Sequence, residues 1–372
     1  MDKENQLLDA CENGNIETIK LLLNDQEIDV NKSNNNEATP FWIACNKGHI
    51  EIVELLLNDQ KVDINQPNIH DITPLWVVCI NGHIEIVKLL LNDKRININK
   101  ANCTGETPFF IACREGHTEI IELLLNVERI DVTRADWREE TPFWIACQYG
   151  QIEIVKLLLN DQRVDINEAD NSGATPFYIT CSQGHTEIAK LLLKDERMDV
   201  NKEEDRVGST PFLIACQVGN LEIVKLLLDN QRIDVAKANF GGKTALWIAC
   251  SKGQLEIMKL LINDNRIDIN KVENKDGTTA IFIACRYGYI EIVQNILSSG
   301  REVNLVTKDK NGKTVLDIAR VGEKEEKKSE ESEEDYQKRK EKYQTIIELL
   351  KKNMKEEKGI TQKLLNYLNF LK

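Results

Sequence analysis

Residues 39–65 read TPFWIACNKGHIEIVELLLNDQKVDIN, and this stretch decides how the rest of the chain is read. Thr39 is a good helix N-cap, and Pro40 suits the first helical position because its missing N–H has no helical partner there. Phe41, Ala44 and Cys45 fall at i, i+3 and i+4, one apolar stripe on a short helix. Gly48 supplies the left-handed residue that ends it. In a second helix Ile52, Leu55 and Leu56 form the stripe, while Val53 and Leu57 widen it. A face that wide predicts neighbours on both sides, hence a stacked array rather than one isolated pair of helices.

The stretch recurs along the chain. Thr-Pro stands at 39, 73, 107, 141, 175 and 210, Thr-Ala at 244 and 279, and Thr-Val at 314, always 34 or 35 residues apart. One period before Thr39, Leu7-Leu8 and Ala10-Cys11 keep the apolar pattern without Thr-Pro, which makes ten units. After each second helix, tracts such as Asp63-Ile64-Asn65 alternate and then give way to turn formers such as Asn171-Ser172-Gly173. That pattern predicts an extended arm folding back as a β-hairpin.

Thr-Pro-Phe/Leu, the small pair Ala44-Cys45, Gly48-His49, the E-I-V-x-L-L-L run and I-D-V/I-N, in that order, resemble the ankyrin repeat family over roughly residues 5–353. The resemblance implies an all-α solenoid of about ten helix-turn-helix units joined by β-hairpin loops, a fold whose ligands meet its concave face. Two departures stand out. Where the family usually has His after T-P-L, this chain has Trp42, Trp76, Phe110, Trp144, Tyr178, Leu213, Trp247 and Phe282, so aromatic packing is expected to replace that histidine's hydrogen bonds. The turn after the second helix, N-D-x-R-I-D, is also a residue longer than the family's.

The expected organisation is an array over 1–320 with an N-terminal cap at about 1–34, and a charged insertion at 321–342 within the C-terminal cap. The cap's delayed second helix follows at 343–353, and an amphipathic C-terminal helix at 354–372. In that last helix Ile360, Leu364, Leu365, Leu368 and Leu371 form a stripe expected to cover the end of the array, with a partner helix or a membrane surface as alternatives. Ser329 and Ser332 lie in an acidic run that an acidophilic kinase could modify, although solubilising charge is the preferred reading.

Of the 372 residues 48 are basic and 61 acidic, a net charge of −13, and the excess of acid lies in the array. That is no footprint for a nucleic-acid backbone. The N-terminal residues lack a signal peptide's apolar core, and no apolar run is long enough for a transmembrane segment. A cytoplasmic protein is expected, with the nucleus as the alternative.

No catalytic, metal or cofactor site is expected. Nine of the ten cysteines, Cys11, Cys45, Cys79, Cys113, Cys147, Cys181, Cys216, Cys250 and Cys285, share one repeat position and read as small core residues. Stacked helices are too far apart for them to pair, and no C-x-x-C exists. Cys103 belongs to a hairpin tip. His49, His83, His117 and His185 share a position after the first helix, where Gln151, Asn220 and Gln254 replace them, as a proton-transfer role would not allow. The recurring Asp29, Asp63, Asp131, Asp165, Asp199, Asp234 and Asp268 stand singly, too few for calcium, and read as turn-stabilising carboxylates.

Binding residues are therefore sought where the fold dictates nothing: the hairpin tips and the two positions before each helix-ending Gly. Trp137, Arg138, Tyr149 and Arg114 form the central candidates, joined by Gln148 and His70, because exposed Trp, Tyr and Arg serve binding more than folding. Phe240, Arg206, Arg286 and Tyr287 form a second group. The expected function is a non-catalytic protein-interaction module, an adapter, scaffold or inhibitor, acting as a monomer on a protein partner with a basic patch. The alternative is a regulatory or targeting subunit whose charged C-terminal segment contacts an enzyme.

Overall fold

The computed structural model describes the backbone of residues 2–370 and the side chains of residues 2–355. Its contacts divide the chain into two compact units: residues up to 180 with 191–198, and residues 181–190 with those from 199 onward. The first unit holds the helix pairs α1 (Lys3–Asn13) and α2 (Ile16–Leu23), α3 (Pro40–Lys47) and α4 (Ile50–Leu57), α5 (Pro74–Asn81) and α6 (Ile84–Asn92), α7 (Pro108–Glu115) and α8 (Thr118–Leu125), and α9 (Pro142–Gln148) and α10 (Ile152–Leu159). The division falls within the pair α11 (Pro176–Gln183) and α12 (Thr186–Leu192). The second unit continues with α13 (Pro211–Val218) and α14 (Leu221–Leu228), α15 (Ala245–Lys252) and α16 (Leu255–Ile262), α17 (Ala280–Tyr287) and α18 (Ile290–Leu297), then α19 (Val315–Lys324) and α20 (Glu333–Phe370). The chain is an all-α solenoid, and within each unit a helix meets its counterparts in the adjacent pairs.

The local chemistry follows the sequence. The Thr39 hydroxyl accepts from the Trp42 amide at 3.1 Å with Pro40 behind it, and Gly48 closes the helix at φ 74°. That glycine cannot be replaced freely, because a Cβ there would lie 2.8 Å from the His83 ring of the following pair. His83 Nε2 lies 3.3 Å from the Asn46 carbonyl, and His117 Nε2 lies 3.0 Å from that of Ile80, so the shared histidine position ties each pair to the one before it. Gln151 makes the same tie to Arg114 at 2.9 Å. Phe41, Phe109 and Phe143 are buried along with the Ala–Cys pairs, each phenyl contributing about 2–3 kcal/mol of transfer free energy. Burial pushes the Cys11 and Cys147 thiols up to about 12, so both stay protonated at neutral pH.

The arms differ from the expected hairpins: no strand occurs among the described residues. Most tips fold on their own Asx side chain instead, and two fold on a glutamate, Glu204 or Glu273. Asn68 Oδ1 takes the amides of His70 and Ile72, and Asp136 Oδ1 those of Arg138 and Glu140, which removes the donors a ladder would use. Successive tips then share single backbone bonds, Cys103 N–H to His70 O, Trp137 N–H to Thr104 O and Asn171 N–H to Arg138 O. Behind the tips, Asn65 bridges both ways to the next arm, donating to Arg95 O at 2.9 Å and accepting from the Asn97 amide at 2.6 Å. The recurring aspartates act within their own turns, as Asp63 does by accepting from the Asn65 amide at 2.9 Å.

Both departures from the family pattern acquire a physical reason. Arg95 is held by Asp93 and donates from Nη2 to the Leu57 carbonyl at 3.0 Å, a cation at the C-terminus of α4. Arg266 does the same for α14 through Leu228. The additional turn residue thus accommodates an Asp–Arg clamp. The indoles do more than pack, contrary to the expectation from sequence: Trp42 Nε1 and Trp144 Nε1 each donate at 2.8 Å, to the carbonyls of Ile72 and Ala174.

In the second unit, α20 supplies Tyr343, whose hydroxyl donates to Arg286 O at 2.8 Å, with Ile346, Ile347 and Leu350 buried behind it. Those residues occupy the register of His49, Ile52, Val53 and Leu56 in an ordinary pair. Residues 325–332, between α19 and α20, are not helical, and Arg339 draws the two helices together through Glu331, Glu325 and the Glu326 carbonyl. The apolar stripe from Ile360 to Leu371 lies outside the residues whose side chains are described.

Candidate functional site

The tip row of the first unit is built by the Asx turns, which hold their central residues outward. Trp137 is 65% exposed there, and the Arg138 guanidinium lies 5.0 Å from its ring centroid. His70 is exposed two tips earlier. A hollow of about 620 Å³ runs beneath the tips, with Cys103, Asp136 and Trp137 among its walls, and Cys103 is exposed. At the end of α9, Tyr149 is 53% exposed, and the preceding Gln148 is half-buried.

Arg114 differs from these candidates. Its Nη1 lies 2.6 Å from Glu106 Oε1 and its Nε 2.9 Å from Glu115 Oε1, so its charge is already engaged within the chain. Glu106 itself, immediately before the N-cap Thr107, also accepts from Asn102 Nδ2 at 2.8 Å.

One residue at this surface was not singled out from the sequence. Glu140 precedes Thr141 as Glu106 precedes Thr107, but the positions that serve Glu106 are changed: Asp136 stands for Asn102, and Gln148 for Arg114. Glu140 is only 8% exposed, and its nearest cation is the Arg138 Nη1 at 3.9 Å, beyond hydrogen-bond reach. Burial foremost, then the charges of Asp136, Asp170 and Glu106, push its carboxyl up to about 7, with Arg138 opposing. Asp136 is raised as well, again mainly by burial. The signal was present in the sequence as a comparison of two neighbouring repeats at three positions.

In the second unit Phe240 is 61% exposed, its amide bonded to Val207 O at 2.9 Å beside the exposed Arg206. Tyr287 is 54% exposed with its ring centroid 5.9 Å from that of Tyr289, whereas Arg286 stacks over Phe282 at 5.3 Å. Among the described residues no group of His, Cys, Asp and Glu is arranged to hold a metal ion, and no helix is long and apolar enough to cross a membrane.

Compared with protein families, the chain matches one described as ankyrin repeats (3 copies), over residues 2–68, 62–136, 143–239, 197–273 and 214–308. No curated protein matches the chain.

Proposed function

The chain belongs to the ankyrin repeat family, whose repeats are protein–protein interaction modules and typically non-catalytic, and on that basis we propose that it is a binding protein acting as an adapter, scaffold or inhibitor. Its contact surface in the first unit is the tip row with the end of α9: Trp137, Arg138, Tyr149, Gln148 and His70. The observation that carries this is Trp137, an indole 65% exposed at a tip held by its own backbone turn. Truncating such a residue has no folding reason to cost stability, whereas exposed Trp, Tyr and Arg dominate binding energetics at about 2 kcal/mol or more each. Arg114 contributes by fixing Glu106 rather than by touching the partner. Because the turns preform this surface, little ordering entropy opposes association. The acidic array favours a partner with a basic patch, so association slows as salt rises.

The test is affinity capture from the source lysate, read by mass spectrometry, with the wild-type chain and a Trp137→Ala, Tyr149→Ala variant shown to be folded by circular dichroism. A protein captured by the first and lost by the second is expected. Equal capture by both would remove this surface from the function.

A further inference from the structure

We propose that Glu140 is the charge-reading point of this surface, receiving a cationic side chain of the partner, Lys or Arg, in the place that Arg114 fills beside Glu106. The inference rests on the binding reading above and gives that surface a chemical preference.

Four carboxylates cluster here, and three of them are satisfied from within the chain. Glu106 takes Arg114 and Asn102. Asp136 takes the amides of Arg138 and Glu140. Asp170 takes the Ser172 amide and hydroxyl and the Ala174 amide. Among the described residues Glu140 alone of the four has no hydrogen-bond donor to its carboxylate, although it is the most buried. A buried carboxylate without a donor is unfavourable, so a group that supplies one gains more here than at an exposed acid.

The fold also indicates what that group is. In the preceding repeat the same position is completed by a guanidinium, and the two substitutions that strip Glu140 of its partners leave the carboxylate itself in place. Its side chain keeps 11% exposure, an opening through which a partner's cation reaches it. Trp137, at the same tip, offers an exposed apolar surface to the methylene stem of a Lys or Arg. Arg138 is no resident substitute: it is 56% exposed and stacks on the indole.

The experiment is selection of a random-peptide display library on the full chain, with Trp137→Ala as counter-selection, followed by affinity measurements on the selected peptides. The expected result is a Lys or Arg at one fixed place in the selected sequences, and a loss of at least about tenfold in affinity on Glu140→Gln. Binding to wild type should also weaken about tenfold from pH 8 to pH 6, as Glu140 protonates, and should be flat in the variant. Replacing the fixed residue by norleucine should cost wild type the same factor and the variant nothing. Selected peptides that depend on Trp137 but share no cation, or that bind Glu140→Gln equally, would overturn this inference and leave the binding surface standing. If no peptide depends on Trp137, the surface itself fails, and the inference with it.

Discussion

Replacing Glu140 by Gln should make the protein more stable, and the gain should depend on pH in a defined way. In the unfolded chain this carboxyl ionises near 4.5, in the folded chain near 7. Folding therefore favours its protonated form: the favourable contribution is complete below about 4.5 and is lost as pH rises through 7. The interval between those values corresponds to roughly 3 kcal/mol, at about 1.4 kcal/mol per decade. Since 11% of the side chain still meets water, about 2 kcal/mol is the expected penalty on wild type above neutrality. Gln keeps the shape and removes the charge. Hydrogen exchange followed by mass spectrometry on α9 reads the effect locally, which suits a repeat array whose unfolding need not be all-or-none. At about pH 8 the α9 amides of the variant should exchange roughly 30-fold more slowly than those of wild type, and at about pH 4 the two should coincide. Equal or faster exchange in the variant at the higher pH would show that Glu140 is ionised and well partnered, contrary to the lack of a donor beside it among the described residues.

Three further outcomes are expected. Gly48→Ala should destabilise by about 1–2 kcal/mol or more in urea unfolding, since φ 74° is unfavourable for Ala and the new methyl meets His83. Asn65→Ala should cost about 2 kcal/mol and deprotect the Asn97 amide in hydrogen exchange, because one side chain serves both a carbonyl and an amide of the next arm. In the native protein an aromatic disulfide reagent should label one thiol quickly, Cys103, while the nine buried thiols react only at the rate of unfolding.

What could be read from the sequence was whatever one repeat settles for itself. The Thr39 cap, the Pro40 start, the Gly48 stop and the burial of the nine cysteines follow from local preferences repeated at a fixed period. The arms were harder. Alternation and turn residues suggested paired strands, and nothing in that pattern announces that Asn68 and Asp136 will take the amides that strands would need. The left-handed tip residues Glu37, Asp71 and Glu139, at φ 59°, 56° and 64°, were equally hidden, since other tips carry Gly there. Trp137 and Tyr149 were visible as residues without a folding purpose, and they are exposed. Glu140 escaped notice because its isolation belongs to three positions taken together. Arg114, attractive by type, is engaged by Glu106 for a reason that only side-chain geometry shows.

The way α20 joins α19 has a consequence for engineering. Tyr343, Ile346, Ile347 and Leu350 take their places through contacts of their own, while residues 325–332 connect the helices and also hold Arg339 through Glu325, Glu326 and Glu331. Apart from that clamp, the connection constrains the helix that follows it through its reach, and loop closure costs just about 0.6 kcal/mol for each doubling of length. A fluorescent or enzymatic guest spliced in after Lys327 should therefore fold in its own right, loosening the Arg339 clamp while the buried contacts of Tyr343, Ile346, Ile347 and Leu350 keep the host's last pair seated. That makes this connection the natural place to hang a reporter on the protein while the proposed contact surface of the first unit stays untouched.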